Sequence, residues 1–147
     1  MSEQATTRVD FYVLEAGGAD SRLYFACRLT EKAYKMNHGV YAHTLSAATA
    51  SRFDDLLWNF RQGSFIPHEV LTTAAPQAPV CIGTDSQVLR SGEVLLNLAD
   101  SAPEFALQFG RVAEIVTSSA ADKQAARARY KHYKALGLEP ETHTIAA

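Results

Sequence analysis

The chain has only two cysteines, a single tryptophan and no long apolar run. Cys27 and Cys81 stand far apart among apolar neighbours, as buried thiols in a reducing compartment do, and not as a disulfide framework. No stretch of about 18 consecutive apolar residues occurs, so no segment suits a membrane-spanning helix. The opening residues, Met1 to Arg8, lack the apolar stretch of a secretion signal. These features lead us to expect a cytoplasmic protein. Positive charge is not in excess either. Lys and Arg number 14 against 16 Asp and Glu, a net charge of −2. A generic nucleic-acid binder is usually basic overall, so that class is disfavoured.

Catalytic signatures are missing as well. The first turn, Ala16-Gly17-Gly18-Ala19-Asp20, has neither GxGxxG spacing nor a GxxxxGKS/T phosphate loop. No G-x-S-x-G elbow marks a serine hydrolase. His38, His43, His68, His132 and His143 form no H-x-x-x-H pair and no paired spacing with cysteine, so no metal is expected. Asp54 and Asp55 are adjacent on a helix, where their side chains diverge. We therefore expect no catalytic group, no cofactor and no metal. A small-molecule enzyme using His43 or Asp85 near strand ends stays open as an alternative.

What is present fits one globular domain over residues 1–147. Of the 147 residues, 47% are hydrophobic and 20% charged, enough for a real core. Val9–Leu14 is a β-rich run. From Ser21 to about Asn37, Phe25, Ala26, Leu29, Ala33 and Met36 recur at helical spacing. Val40–Leu45 reads as a strand. Ala47–Asn59 reads as a helix with Ala50, Phe53, Leu56 and Leu57 inward. Phe60–His68 reads as a loop, and Thr72–Pro79 as an exposed linker. Strands follow at Val80–Gly83, Glu93–Leu98 and Arg111–Val116, with a short helix over Pro103–Gly110. This alternation implies an α/β fold: a single three-layer α/β/α domain with about five mostly parallel strands.

Two segments stand out. Ser118–Gly137 reads as a helix with Ser119 as cap, Asp122 in the first turn and Gly137 at the end. At about 100° per residue, Lys123, Arg127, Lys131 and Lys134 share one face, with Tyr130 beside them. Ala121, Ala125, Ala128 and Leu136 lie opposite, with His132 among them, and are expected to be buried. Asp122 is the only acidic residue in this helix, so Glu–Lys pairs of a solvated helix are absent. A cationic front with an aromatic suits an acidic peptide or a phosphate backbone. Direct single-stranded DNA binding, with Tyr130 and Tyr133 stacking on bases, is a further alternative. The second segment is Leu56–Leu71. Trp58, Phe60, Phe65, Ile66 and Val70 cannot all turn inward from a surface loop, so they either close one end of the core or anchor a partner.

Four stretches resemble the chi subunit of the bacterial DNA polymerase III holoenzyme. They are Phe11–Leu14; Asp54–Trp58 followed by Ser64–His68; Leu95–Leu98; and Lys123–Lys134. The resemblance implies an α/β domain whose sheet is similar to nucleotide-binding folds but holds no nucleotide. It also implies a non-catalytic role joining proteins. One partner is the psi subunit, which tethers chi to the clamp loader. The other is the acidic C-terminal tail of single-stranded DNA-binding protein, ending in aspartates and Ile-Pro-Phe. Binding that tail links the polymerase to the coated lagging strand and helps displace primase. Contact with nucleic acid would be mainly indirect, and the chain a monomer alone or a heterodimer with psi. Carried over by position, Lys123, Arg127, Tyr130, Lys131, Lys134 and Val116 would form the tail site, and Trp58, Phe65, Ile66 and Pro67 the psi site. The chain departs from the family pattern at Leu14–Tyr24, at Thr72–Pro79 and at its C-terminus, which lacks an aromatic.

Overall fold

The computed structural model describes residues 7–15, 19–63, 65–71, 78–84 and 92–145. The expected glycine turn at 16–18, most of the 72–79 linker, Ser64 and Asp85 lie outside these residues. In chain order the strands are β1 (Arg8–Leu14), β2 (Val40–His43), β3 (His68–Val70), β4 (Val80–Gly83), β5 (Gly92–Asn97), β6 (Phe109–Val116) and β7 (Glu141–Ile145). The helices are α1 (Ala19–Lys35), α2 (Ala47–Asn59) and α3 (Ala120–Ala135).

These strands form one sheet in the order β3-β4-β2-β5-β6-β1-β7, and every pairing is parallel. The sheet therefore has seven strands, not about five. Both extra strands sit at its edges, where the hydrophobic pattern is weakest. β7 reads Glu-Thr-His-Thr-Ile, with one apolar residue; its register comes from β1, from Asp10↔Glu141 to Leu14↔Ile145. β3 has three residues and begins at His68, the last residue of the expected loop, pairing with β4. The short helix expected over Pro103–Gly110 shrinks to a single 3-10 turn, Ala106–Gln108. Phe109 is drawn instead into the ladder opposite Gly92 of β5.

The central strands are buried on both faces, which is why they read as continuous apolar runs. Within β6, Ala113 and Ile115 join the core under α1 and α2, while Val112 and Val116 join the core under α3. Strand connections explain the layers. The β1-α1-β2 and β2-α2-β3 crossovers run toward one edge of the sheet, and β6-α3-β7 runs toward the other. Right-handed crossovers in opposite directions put their helices on opposite faces. The result is a three-layer α/β/α domain. Among the described residues, no helix is long and apolar enough to cross a membrane.

Candidate functional site

α3 starts at a side-chain cap. The Ser119 hydroxyl accepts from the Asp122 N–H at 3.0 Å, and the Asp122 carboxylate accepts from the Thr117 N–H and hydroxyl at 2.7 and 2.8 Å. One orphan N–H of the helix start is thus satisfied, the preceding turn is tied to the helix, and a negative charge sits at its positive end. Gly137, at φ 88°, ends the helix in the left-handed region that glycine enters at little cost.

The buried face of α3 is not the one expected. Ala126, Arg129 and Tyr133 are buried, whereas Ala121, Ala128, His132 and Leu136 are exposed. Small apolar residues did not mark the inner face, because a charge partner in β6 did. Glu114 is fully buried and accepts from Arg129 Nε at 2.8 Å, from the Tyr133 hydroxyl at 2.7 Å and from Asn97 Nδ2 at 2.8 Å. Arg129 Nη1 also donates to the Asp100 carbonyl at 3.0 Å. Burial raises the Glu114 carboxyl above its ordinary value, against the opposing pull of Arg129 and the hydrogen bonds. Burial, together with the neighbouring Glu114 charge, also pushes the Tyr133 hydroxyl up. A network of this kind fixes which way the helix faces.

With that face inward, Lys123, Arg127, Lys131 and Lys134 are all exposed. Lys123, Arg127 and Lys131 follow at i, i+4 and i+8, so they stack along one side. Lys134 Nζ lies 3.2 Å from Glu139 Oε1, an exposed pair that partly neutralises it. Tyr130 is half-buried, its ring 5.5 Å from that of Phe11. Val116 is only 3% exposed and sits in the core cluster with Ala126 and Tyr133, beneath the helix and not on its outer face.

The second group lies at the far edge of the sheet. Ser46 caps α2 by accepting from the Thr49 N–H at 3.2 Å, and Ala50, Phe53 and Leu57 point inward. Trp58 is then left 59% exposed, and Phe65, in the following loop, is 81% exposed. Pro67 is exposed too. Ile66 does not join them. It is 3% exposed and packs in the core cluster with Phe53 and Leu57. This segment thus does both things left open by its composition: Ile66 closes the core, while Trp58 and Phe65 face outward. The His68 side chain is buried behind Trp58, with ring centroids 4.5 Å apart. Nothing in the spacing of His68 singled it out, because its partners come from α2 and from the backbone.

His43, the candidate catalytic histidine, is buried against Phe105, with ring centroids 5.2 Å apart in edge-to-face contact, so it is a packed side chain. Asp10, Glu141 and His143 bring potential metal-binding atoms within 4.8 Å of one another. The fully buried Asp10 carboxylate already faces Arg8 Nε at 3.2 Å, Arg111 Nε at 3.0 Å and His143 Nε2 at 2.9 Å. Two guanidiniums at that carboxylate repel a metal cation. Burial raises its pKa, but His143, Arg111 and Arg8 outweigh that and hold it below the ordinary value. The sequence hides this cluster, because β1, β6 and β7 each contribute to it.

A family model described as the DNA polymerase III chi subunit, HolC, matches residues 6–141. Over 139 residues the chain is 40% identical to the DNA polymerase III subunit chi of Pseudomonas aeruginosa, covering 95% of this chain and 97% of that one. It is 28% identical to the subunit of the same name from Haemophilus influenzae, covering 92% and 95% of the two chains. It is 29% identical to that of Escherichia coli, covering 91% and 95%.

Proposed function

The chain belongs to the family of DNA polymerase III chi subunits, and from that premise we propose that it is a non-catalytic bridge with two docking sites. Membership gives it an accessory role in DNA replication as part of a polymerase assembly. The apolar site, Trp58, Phe65 and Pro67 with Ile66 behind them, takes the psi subunit of the clamp loader. The cationic site on α3 takes the acidic C-terminal tail of single-stranded DNA-binding protein.

One observation carries this reading: two exposed surfaces of opposite chemistry stand well apart on one rigid sheet. Trp58 and Phe65 flank edge strand β3, on the layer of α1 and α2. Lys123, Arg127 and Lys131 project from α3, on the other layer, over β6. Strands β4, β2 and β5 lie between β3 and β6. At about 4.8 Å per strand that is roughly 19 Å, before the thickness of the sheet is added. The two surfaces therefore share no residues.

At the cationic site, Arg127 has the fork geometry to take a terminal carboxylate through two parallel hydrogen bonds. Lys123 and Lys131 attract the tail's aspartates through screened, salt-sensitive steering. Tyr130 borders the aromatic end of the tail, whereas Val116 is buried beneath the helix and takes no part in the site. The stacking alternative loses its platform: Tyr133 is fully buried and Tyr130 is packed on Phe11. Two successive bases therefore find no pair of free rings on this helix.

Calorimetric titration with the tail peptide tests the site, on wild type and Arg127→Ala, at two salt concentrations. Wild-type affinity is expected to fall as salt rises. Arg127→Ala is expected to cost roughly tenfold or more, the loss of one charge-assisted bidentate contact. Absence of wild-type binding at both salts removes the tail from this chain.

A further inference from the structure

We propose that His68 and Asp54 are positioning residues that hold the Trp58 indole outward as a pre-set docking anchor, an inference that rests on the apolar-site reading above. Trp58 lies in the last turn of α2, where an exposed ring on a fraying helix end would sample several rotamers. Docking would then have to freeze it. Immobilising one rotamer-rich side chain weakens association by about two- to tenfold. Behind this ring the chain places a buried polar group.

That group is the His68 imidazole. Its side chain has no solvent exposure, although the residue sits at the start of an edge strand. Nδ1 is 2.6 Å from the Ile66 carbonyl oxygen, so it donates there. Nε2 is 3.2 Å from Asp54 Oδ1, an ion-pair distance outside hydrogen-bond geometry. Asp54 lies one turn before Trp58 on α2, at i−4, so the carboxylate and the indole share one flank of the helix. The imidazole thus spans the seam between α2 and β3, held by a hydrogen bond at Nδ1 and, when both ring nitrogens carry a proton, by charge attraction to Asp54 at Nε2. The Trp58 ring packs against it at 4.5 Å, inclined by 52°. A buried His68 side chain cannot touch a docked partner, so any effect it has on docking runs through the groups it holds, the Trp58 ring and the Ile66 backbone.

An aromatic filler and a tether differ in what they require. A filler needs only a ring of similar size. A tether needs polar atoms at both ends. His68→Phe keeps the ring and removes both ties. Asp54→Ala removes one tie from a side chain that is 28% exposed, so the fold survives it. Trp58 is the only tryptophan, so intrinsic fluorescence reports this one side chain without a label. Nanosecond anisotropy decay of the full chain then reads its local freedom.

Both variants are expected to enlarge the fast, large-amplitude component of the Trp58 decay while far-ultraviolet circular dichroism stays unchanged. Affinity for psi is expected to fall about two- to tenfold in each. Wild-type anisotropy in either folded variant overturns the proposal, as does weakened docking with unchanged anisotropy. If His68→Phe fails to fold, Asp54→Ala alone decides by the same readout. If wild-type chain does not bind psi, the docking reading falls, while anisotropy of the isolated chain still decides whether His68 and Asp54 position the ring.

Discussion

Single side chains decide more here than their types suggest. Asp10 is an acid on a strand, yet three side chains from β1, β6 and β7 converge on its carboxylate. Its pKa is held below the ordinary value, so the unfolded chain binds its proton more readily than the folded one. The stabilisation is therefore present above the ordinary aspartate value of about 4 and drains away as pH falls through the lowered native value. Urea unfolding between neutral pH and about pH 3 is expected to show stability falling with acid in wild type and a shallower fall in Asp10→Asn. Equal slopes would mean that other carboxylates carry the acid sensitivity. Arg8 and Arg111 are about half exposed, so solvent screening keeps the contribution small. Neither this cluster nor the Glu114–Arg129–Tyr133 network was legible in the sequence. Arg129 looks like any arginine on a basic helix, and only a buried acid on another element turns it inward.

At the scale of elements, periodicity succeeded where burial follows hydrophobicity and failed where it follows charge. In α2 the expected inward residues Ala50, Phe53 and Leu57 are buried, and Leu56 is half-buried. The next residue, Trp58, turns outward by the helix's own 100° step. Adjacent large residues therefore have opposite roles. Leu57→Ala is expected to cost about 2–5 kcal/mol of stability, and Trp58→Ala within about 0.5 kcal/mol. Thermal unfolding of the two variants checks this directly; a large loss in Trp58→Ala would make the ring part of the core. In α3 the apolar side chains are mostly alanine, which buries little area in any orientation. The inner face was therefore set by Arg129 and Tyr133 meeting Glu114. The cationic front survived this correction, because Lys123, Arg127 and Lys131 sit away from both the expected and the observed inner faces.

For the whole molecule, the two proposed docking surfaces would be held apart by the sheet. A parallel sheet with helices on both faces is stiff, and the proposed surfaces lie on different layers. Sites this far apart without shared side chains should behave additively. Trp58→Ala is expected to weaken psi binding and leave tail-peptide affinity within about twofold of wild type. Arg127→Ala is expected to do the reverse. Titrating the tail peptide into the preformed complex with psi should give the affinity of the free chain. A changed affinity would show that the sheet transmits one docking event to the other site.

By itself the sequence determined the α/β class, the order of the central strands and helices, the basic stripe of the last helix and the family. Each is written in local periodicity or in contiguous motifs such as Ser64–His68 and Lys123–Lys134. Only the tertiary structure decided the two edge strands, the inner face of α3, the split of Ile66 from Trp58 and Phe65, and the clusters at Asp10, Glu114 and His68. All of these depend on partners distant in the chain. A three-residue strand or a lone buried carboxylate has no period to read. Its energy comes from what folding brings alongside it: a neighbouring strand for backbone groups, or a guanidinium for a charge removed from water.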